Sequence, residues 1–560
     1  MRLAVSVLCF VSAASSYAAA PLIKFNQSGY QHKGQKLAVI PGKSQQAFQL
    51  VALPSGQIVF KGQSSETQLW APAGEAVSIA DFSQVQSNGS YRLEVAGYAP
   101  VEVQISNQPY AQLHDAAIKA YYFNRASQQL APAYAGVWAR PAGHPDDQVK
   151  IHTSAASESR PTGTVVQSPK GWYDAGDYNK YIVNSGISTF TLLDAWTDFK
   201  DFYRERQWTI PESGNNTPDL LDEVLWNLDW MSSMQDPADG GVYHKLTTLN
   251  FEGAVMPHQA VAQRYLVQKT TAAALNFAAV MAKASRVLSE FDKEQPGKAA
   301  LFRQQAIQAW QWASRNPAIY YQQPADVSTG AYGDKELADE FAWAAAELYL
   351  LTGEEPYLQQ FFQLAQPVQN PSWASVAALG YFSLAKEAIN LTPEQRQQVF
   401  SAITTAADQF VVQHQASAYK VAMVQEDFVW GSNAVAMNKA ILLYKANQIT
   451  AKASYVEAMQ GLLDYVLGRN PLDLTYVTGF GVKSPQRIHH RPSQADAIKA
   501  PVPGWLAGGA QPGQQDKCKY NSKLPAKSYV DDWCSYASNE VTINWNAPLV
   551  YMLAAFSLQG

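Results

Sequence analysis

Charged residues are scarce in this chain, and positive charge is not concentrated anywhere along it. Only 16% of its 560 residues are Asp, Glu, Lys or Arg, and 42 basic against 47 acidic side chains leave a formal net charge of −5. Phosphate backbones are bound by clustered Lys and Arg, so the composition argues against nucleic acid as a partner. Apolar residues make up 47% of the chain, which excludes wholesale disorder and supplies a large core.

Long hydrophobic runs are missing after the first 20 residues. Residues 1–20 combine Arg2, an apolar stretch and small residues around Ala18, which is the pattern of a secretory signal peptide and is too short to span a bilayer. No later run is long and apolar enough to cross a membrane. We therefore expect cleavage of residues 1–20 and export of a soluble protein, to the periplasm or beyond.

Cysteine is rare as well, with 3 in the whole chain. Cys9 falls inside the signal peptide, so the exported protein retains Cys518 and Cys534. In an exported protein such a pair indicates one disulfide that closes a loop, although two free buried thiols would also fit. No Cys/His cluster has zinc-finger spacing.

Aromatic residues, in contrast, are abundant: 15 Trp, 29 Tyr and 22 Phe make up 12% of the chain. Flat aromatic faces suit the apolar faces of sugar rings, but a large core uses aromatic residues too. Composition alone leaves both interpretations open.

Two hydrophobic patterns divide the chain after the signal peptide. Residues 21–106 contain short β-rich runs separated by turn formers, which predict a small all-β sandwich of immunoglobulin-like size. From about residue 112 onward the apolar residues recur at helical spacing. The predicted helices lie near residues 112–126, 185–203, 218–234, 269–290, 296–314, 337–352, 355–366, 372–389, 393–413, 432–447, 451–467 and 541–557.

Twelve helices with almost no strand signal favour six helical hairpins arranged as a double ring. A superhelical repeat array would also contain many helices, but no sequence period recurs at 34 or 40 residues. The long segments without helical pattern at 153–172, 235–265, 318–335 and 468–540 hold most of the unusual polar residues. We therefore expect these loops to be functional.

The first candidate site is GWYDAGDYNKYIV at residues 171–183, where Asp174 and Asp177 lie three positions apart. Two carboxylates this close repel each other, so their site must hold a cation, share a proton or orient a water molecule. Asp residues beside Gly are also common in ordinary turns, so the pair alone does not establish catalysis.

The second candidate is Glu540, in YVDDWCSYASNEVTINWNAPLVY at residues 529–551. It precedes the last helix in an apolar and aromatic neighbourhood, which would disfavour its charged form and suit a general acid. A first-turn Glu also complements the helix dipole, and the two interpretations are compatible.

The third candidate ends in His489, His490 and Arg491, after a Gly-rich turn in TYVTGFGVKSPQRIHHRPS at residues 475–493. Adjacent histidines point apart in most backbones, and no further Cys or His accompanies them. Binding of substrate hydroxyl groups is therefore favoured over metal binding.

These three stretches resemble the signatures of glycoside hydrolase family 9, the inverting cellulases. DAGDYNK resembles the motif of the catalytic base, and the runs from Thr475 to Arg491 and from Tyr529 to Ala547 fit two further family patterns at every fixed position. The start IKFNQSGYQHKGQKLAVI resembles the immunoglobulin-like module that precedes many members. The resemblance implies an all-α (α/α)6 barrel catalytic domain at 107–560, after the signal peptide at 1–20 and the sandwich at 21–106.

By this resemblance the protein would hydrolyse β-1,4-glucosidic bonds of cellulose or related β-glucans with inversion, as an endo-β-1,4-glucanase. Asp177 would be the general base, Asp174 would help hold the water, and Glu540 would be the general acid. An inverting site needs its carboxyl groups roughly 6.5–9.5 Å apart to admit that water. No organic cofactor is required.

The resemblance also implies residues that bind the substrate. His489 and Arg491 would hydrogen-bond sugar hydroxyls, and His244 would face the sugar next to the cleaved bond. Trp545 stands where many members have Tyr, which is expected to change the contact below the scissile bond. The predicted substrate-binding residues are His489, Arg491, His244, Trp430, Tyr536, Asp531 and Trp545.

The resemblance also implies two metal sites, and this sequence offers possible ligands for only one of them. Many members hold zinc through cysteines, but the corresponding stretches here read Arg125-Ala126-Ser127 and Ala142-Gly143-His144, so we expect that site to be lost. The family often binds calcium beside an Asp-Glu pair. Asp334, Asp339 and Glu340 offer oxygen ligands of the type that calcium uses, although they would serve equally as acidic residues at a helix start.

Other functions remain as alternatives. An exo-β-glucosidase or exo-β-D-glucosaminidase would use the same machinery with one end of the cleft blocked. A non-catalytic glycan-binding protein would not need to keep Asp174, Asp177 and Glu540 together. A polysaccharide lyase would use a Tyr or His base and leave these carboxylates without a role. We expect a monomer that binds a β-glucan and neither nucleic acid nor membrane.

Overall fold

The structure, a computed structural model, describes residues 22–558, so the predicted signal peptide lies outside the described residues. Strands make up the part that ends at Ser106, and helices dominate the remainder. The strands are β1 (Tyr30–Gln31), β2 (Leu37–Pro41), β3 (Ala47–Leu53), β4 (Ile58–Gln63), β5 (Gln68–Trp70), β6 (Glu75–Asp81), β7 (Gly89–Val95), β8 (Val101–Ser106), β9 (Val149–Ile151), β10 (Val165–Val166), β11 (Lys180–Tyr181), β12 (Lys245–Thr247) and β13 (Tyr265–Leu266).

Strands β1 to β8 form the predicted N-terminal β-sheet domain. One sheet has the order β1-β8-β7-β3-β4 and the other β2-β6-β5. In β7 the side chains of Tyr91, Leu93 and Val95 are buried and the residues between them are less so, because successive side chains of a strand point to opposite faces. These three residues pack with Ala38 and Ile40 of the second sheet in one apolar core.

This domain rests on the helical part through aromatic and polar contacts. The ring of Trp70 lies 4.5 Å from that of Tyr419. The amide of Asn26 donates a hydrogen bond of 2.8 Å to the buried carboxylate of Asp464. Separating the two parts would leave these buried polar groups without partners, so the β-sheet domain is a fixed support for the helices.

All twelve predicted helical segments are present, with ends that differ from the prediction by a few residues, but the segment predicted at 185–203 is divided at Phe199 into two helices. The longest, residues 393–416, begins as its sequence predicts: Pro393 is in the first turn and the Thr392 side chain accepts a hydrogen bond from the backbone N–H of Gln395. The helices are α1 (Ala111–Phe123), α2 (Pro132–Ala135), α3 (Ile182–Asp198), α4 (Lys200–Arg204), α5 (Asp219–Ser233), α6 (Thr271–Leu288), α7 (Lys298–Arg315), α8 (Ala338–Thr352), α9 (Glu355–Leu364), α10 (Ala377–Glu387), α11 (Pro393–Ala416), α12 (Ser432–Ile449), α13 (Ala453–Val466), α14 (Arg491–Ala495) and α15 (Ile543–Ser557).

Six of these helices lie inside and six long helices pack on their outer side. Of the inner set, α3 contacts α6, α6 contacts α8, α8 contacts α10, and α12 contacts α15, which returns to α3. The outer set consists of α1, α5, α7, α9, α11 and α13. Every residue of α3 from Ile182 to Trp196 is buried, as expected for a helix that is covered by protein on all sides.

The N-terminal ends of α3, α12 and α15 meet at one end of the helical part. The backbone N–H of Ile543 donates to the carbonyl of Asp174 (3.0 Å), which ties the start of α15 to the segment before α3. A small sheet of order β10-β9-β13-β12-β11 lies beside them. The sequence did not predict it, because its strands span only two or three residues and are too short to show alternation.

Two simpler predictions can also be compared with the structure. Cys518 and Cys534 form a disulfide, with their Cα atoms 5.9 Å apart. Between residues 22 and 558, no helix has both the length and the apolar character that a membrane span requires.

Candidate active site

A cavity of about 920 Å³ opens where the N-terminal ends of the inner helices meet. Its wall contains the three carboxylates that the sequence singles out, Asp174, Asp177 and Glu540. Five of the predicted substrate-binding residues line it as well: His489, Arg491, Trp430, Tyr536 and Trp545. The fold therefore gathers the three candidate segments, which are far apart in the sequence, around one space.

A glycine shapes the loop that carries Asp174 and Asp177. A Cβ at Gly176 would lie 2.2 Å from the carbonyl oxygen of His489, so the two segments approach this closely only with glycine there. The carbonyl of Gly176 accepts hydrogen bonds from the backbone N–H of Arg491 (3.0 Å) and from its guanidinium (2.8 Å). The Asp-Ala-Gly-Asp spacing thus docks both carboxylates against the His489–Arg491 segment.

Asp174 is buried, and both of its carboxylate oxygens have partners. The side-chain amide of Asn184 donates to Oδ1 (2.6 Å), and the hydroxyl of Tyr332 donates to Oδ2 (2.8 Å). Burial, and then the negative charge of Asp177, raise the pKa of Asp174 to about 8, against the two hydrogen bonds, which lower it. Asp174 therefore keeps a proton near neutral pH.

Asp177 has one occupied and one open carboxylate oxygen. Its Oδ2 accepts hydrogen bonds from the amide of Asn179 (2.6 Å) and the hydroxyl of Tyr181 (3.3 Å). Its Oδ1 receives no hydrogen bond from any residue between 22 and 558, and the residue lines the cavity. A carboxylate that is held by one oxygen and open at the other is suited to take a proton from water.

Glu540 is a half-buried carboxyl in the cavity wall. The backbone N–H of Gly176 donates to its Oε1 at 3.3 Å. Burial, and then the negative charge of Asp177, raise the pKa of Glu540 well above its ordinary value, while the guanidinium of Arg491 acts in the opposite direction. The protonated form of Glu540 is therefore favoured, and it can donate a proton in the cavity.

His489 and His490 point to different sides of their segment. The ring of His489 stacks on Trp533 at 4.4 Å, and its Nδ1 donates to the Trp533 carbonyl at 2.7 Å. Because burial lowers the pKa of His489, its neutral ring presents Nε2 as an acceptor. His490 is buried away from the cavity, with Nε2 3.0 Å from the side-chain oxygen of Asn124.

Aromatic side chains form one lip of the cavity. Trp430 is 43% exposed, and its ring lies 5.6 Å from that of Tyr536 in a tilted arrangement. Trp545 lies below them against Gly431, where a Cβ would come within 2.6 Å of its Nε1. Exposed rings beside buried carboxylates are suited to bind the apolar face of a sugar.

Comparison with protein families now decides where this chain belongs. Residues 110–553 match the model for glycosyl hydrolase family 9, and residues 18–99 match that for the cellulase N-terminal ig-like domain. The chain belongs to glycosyl hydrolase family 9.

Similar proteins extend along almost the whole of this family 9 chain. The xyloglucan-specific endo-beta-1,4-glucanase BoGH9A of Bacteroides ovatus is 43% identical over 95% of this chain and 93% of its own length. Endoglucanase D of Acetivibrio thermocellus is 33% identical over 95% of this chain and 83% of its own. A solved family 9 structure from Bacteroides ovatus superimposes with a TM-score of 0.92 at 41% identity, covering 96% of this chain and 99% of that one.

Two predicted substrate-binding residues of this family 9 chain lie behind the cavity wall. His244 is buried, stacked on Tyr321, with its ring nitrogens 3.0 Å from the Thr270 hydroxyl and 2.8 Å from the carbonyl of Ala331. Asp531 accepts hydrogen bonds from the backbone N–H groups of Gln486 and Arg487, 2.8 and 2.9 Å away. Each therefore supports a segment that reaches the cavity and does not form part of its wall.

Sequence reasoning missed the residues that hold the carboxylates. Asn184 lies within an all-buried helix, and nothing in its local pattern distinguishes it from a core position. Tyr332 stands in a loop with Gly residues and has a positive φ of 45°, which is strained for a tyrosine. Such strain is common at functional sites, but a sequence does not reveal it.

The predicted calcium residues are close together at the start of α8. Buried carboxylate oxygens without hydrogen-bond partners occur in Asp334, Asp339 and Glu340. Burial, and then the charges of Asp339 and Asp334, raise the pKa of Glu340 well above its ordinary value. The chemistry of these donors fits a hard cation. Between residues 22 and 558, however, no group of three or more His, Cys, Asp and Glu side chains is arranged around one point as metal ligands.

The position of the family's zinc cysteines holds a different arrangement here. The Nδ1 of His144 lies 2.8 Å from the hydroxyl of Tyr173, beside Ala126 and Tyr178. A Cβ at Gly143 would lie 2.5 Å from the backbone of Pro257, so the chain leaves no room there for a cysteine side chain.

Proposed function

We propose that this protein is an endo-β-1,4-glucanase that hydrolyses β-1,4-glucosidic bonds of cellulose or a related β-glucan with inversion of configuration. The observation that carries the proposal is that the carboxyl of Glu540 shares one cavity with the paired carboxylates Asp174 and Asp177, in a chain of glycosyl hydrolase family 9. Relatives named endoglucanases that cover nearly the full chain support the endo mode of action.

Glu540 is the general acid of the proposed reaction. The raised pKa of Glu540 favours the protonated carboxyl that an acid needs. It transfers this proton to the glycosidic oxygen as the bond to the anomeric carbon breaks, so that the departing sugar leaves as an alcohol.

Asp177 is the general base. Its open Oδ1 takes a proton from the water whose oxygen attacks the anomeric carbon from the opposite face of the sugar. Asp174 remains protonated near neutral pH and helps to hold this water, and its own orientation depends on Asn184 and Tyr332. One attack on one face inverts the anomeric configuration.

The remaining wall residues bind and orient the glucan. His489 offers an acceptor and Arg491 a positive charge to sugar hydroxyls, while Trp430, Tyr536 and Trp545 stack on ring faces. His244 acts indirectly, because its Nε2 holds the carbonyl of Ala331 next to Tyr332. Asp531 likewise fixes the segment that precedes His489.

Xyloglucan is a second candidate substrate. It is favoured by the relative from Bacteroides ovatus, which is named a xyloglucan-specific endo-beta-1,4-glucanase and shares 43% of its residues with this chain. Cellulose and xyloglucan have the same β-1,4-linked backbone, so the chemistry proposed for Glu540 and Asp177 applies to both.

A calcium ion at Asp334, Asp339 and Glu340 is a further proposal. The ion would supply positive charge to carboxylate oxygens that lack hydrogen-bond partners. Because Tyr332 lies two residues before Asp334, a fixed start of α8 would keep its hydroxyl on Asp174. Removal of calcium by a chelator should lower the Tm, and this loss should disappear in Glu340→Gln.

The arrangement of the helices and the location of the protein are proposed on the same basis as its function. The inner helices α3, α6, α8, α10, α12 and α15 and their outer partners are proposed to form an (α/α)6 barrel, with the β-sheet domain as its support. The protein is proposed to act as a monomer after cleavage of residues 1–20, in the periplasm or outside the cell.

The proposal is tested by the products of the reaction. On carboxymethyl-cellulose, xyloglucan and cello-oligosaccharides we expect falling viscosity and early α-anomeric oligosaccharides by NMR. Release of single glucose units, or of glucosamine from chitosan oligomers, without loss of viscosity would favour an exo-β-glucosidase or exo-β-D-glucosaminidase. Glu540→Gln should hydrolyse these glucans far more slowly than wild type, whereas the exposed Glu394→Gln serves as the matched control.

A further inference from the structure

Inner helices form the floor of the cavity. One polar residue on this floor, Asn438, has a position that the contacts described so far do not explain. We define this floor by Ile187 of α3, Ala434 and Asn438 of α12, and Asn544 of α15. Asn438 lies in the middle of its helix and is 6% exposed. Asparagine is a poor residue for a helix interior, and burial of its amide is costly unless hydrogen bonds replace those made with water.

Other buried asparagines of the inner helices do have partners. Asn184 donates to Asp174 at 2.6 Å, Asn276 to the carbonyl of Ala272 at 3.0 Å, and Asn546 to the carbonyl of Ala117 at 2.7 Å. On α12 itself, Asn433 donates to the carbonyl of Ala507 at 2.9 Å.

Asn438 differs from all of these. No residue between 22 and 558 makes a hydrogen bond with its side chain, and it lines the cavity. Asn544 is similar in part: its side-chain oxygen contacts the Thr542 hydroxyl at 3.0 Å, while its Nδ2 has no acceptor in the same stretch of chain. Two amides with unused hydrogen-bonding capacity therefore meet the cavity between apolar neighbours.

We infer that Asn438 and Asn544 bind hydroxyl groups of one sugar unit of the glucan on this floor. An amide both donates and accepts, which matches neighbouring hydroxyls of a pyranose ring. Ile187 and Ala434 offer apolar surface to the C–H groups of the same ring. This inference rests on the proposed function and adds a specific contribution of α12 and α15 to substrate affinity.

The decisive comparison is between two asparagines of α12. In Asn438→Leu an amide without a protein partner is replaced by an apolar side chain of similar size, so the Tm should stay within about 1 °C of wild type or rise. The value of kcat/KM for cellopentaose should fall at least tenfold, because the sugar hydroxyl loses its partner. In the matched variant Asn433→Ala the Tm should fall, since Asn433 holds the carbonyl of Ala507.

Binding is measured separately from turnover. In a Glu540→Gln background, Asn438→Leu should weaken the affinity for cellotetraose by a factor of ten or more in calorimetric titration. Asn438→Ala and Asn544→Ala should show losses in the same direction, which keeps the test valid if the leucine variant does not fold.

The two proposals fail in different ways. If the wild type hydrolyses no β-1,4-glucan, the proposed function is wrong. If the wild type is active and the Asn438 and Asn544 variants retain kcat/KM and affinity within twofold, the inference about the floor is overturned. A fall in Tm equal to that of Asn433→Ala, with unchanged affinity, would also overturn it.

Discussion

Two clusters of buried charge lie at the two ends of α3, and they are built differently. At the N-terminal end, Asp174, Asp177 and Glu540 share a cavity with Arg491, which is the one Lys or Arg side chain in its wall among the described residues. At the C-terminal end, about 15 Å from Asn184 at the helical rise of 1.5 Å per residue, Asp194 of the same helix binds two lysines.

In the second cluster each carboxylate is paired with a cationic side chain. The carboxylate of Asp194 lies 3.0 Å from the ammonium of Lys283 and 2.7 Å from that of Lys445, and Asp198 also pairs with Lys445 at 2.5 Å. Glu387 lies 3.1 Å from Lys283 and 3.1 Å from the guanidinium of Arg286. Burial alone would raise the pKa of Asp198, but Lys445 lowers it below its ordinary value.

The difference shows which buried charges are structural. Where each carboxylate has an ammonium partner, the charged forms are favoured and the cluster holds helices together. Where carboxylates outnumber their partners, protons are retained and become available for chemistry, as at Asp174 and Glu540. Substitutions at the active-site end of α3 should therefore change mainly the catalytic activity, and substitutions at the opposite end should change mainly the stability of the fold.

The largest effect is expected at Glu540. Glu540→Gln removes the acid without changing the size of the side chain, so kcat on cellopentaose should fall about 10²- to 10⁴-fold, the usual range for loss of acid catalysis. An aryl cellobioside with a strongly acidic phenol as leaving group needs little protonation and should lose far less activity. A loss below tenfold on cellopentaose would contradict the assignment of Glu540 as the acid.

The next effect concerns the second cluster. Lys283→Met leaves buried Asp194 and Glu387 with fewer partners, so unfolding free energy should fall by about 3–5 kcal/mol, as for other broken buried ion pairs. Urea unfolding followed by circular dichroism measures this loss. Lys386, which is 43% exposed and 3.3 Å from Asp198, is the matched control, and Lys386→Met should cost under about 1 kcal/mol. Equal losses in the two variants would contradict the comparison.

The active-site end was largely predictable from sequence, and the opposite end was not. Asp174, Asp177 and Glu540 stand in motifs whose spacing is set by one loop or one helix start, so local sequence reveals them. The partners of Asp194 are spread over α6 and α12, and each lysine resembles an ordinary surface residue of an amphipathic helix.

The same reasoning explains what could be predicted of the fold. Each long helix needs an apolar face over several turns, and this made all twelve detectable, with Pro393 and Thr392 marking one start to the residue. Strands β9 to β13 pair across distant segments over two or three residues each, so no local pattern identifies them. Contacts such as Tyr332 to Asp174 depend on that long-range assembly.

A pH-dependent effect should appear in the stability of Asp174→Asn. Unfolded Asp loses its proton near pH 4, about its ordinary pKa, whereas folded Asp174 keeps it to about pH 8. Between these values the unfolded state binds fewer protons, so wild-type stability falls as pH rises, and below pH 4 this contribution is absent. Asparagine cannot ionise, so the variant should gain stability relative to wild type as pH rises from 4 to 8, by up to about 5 kcal/mol at roughly 1.36 kcal/mol per pKa unit. Thermal unfolding at pH 4 and pH 8 measures the gain, and a difference independent of pH would contradict it.

The smallest effect is a shift in the pH dependence of catalysis when Arg491 is replaced. The guanidinium opposes the rise in the pKa of Glu540, so Arg491→Gln should raise that pKa further and move the alkaline limb of kcat/KM upward by about one pH unit or less. Arg487 belongs to the same segment but is exposed and pairs with Asp532 at 2.8 Å, so Arg487→Gln should leave the limb unchanged.

The overall rate of Arg491→Gln should fall as well, because Arg491 holds the carbonyl of Gly176, but lost positioning alone would not move the limb. A limb that stays in place, or moves to lower pH, would mean that Glu540 is not the group titrating there.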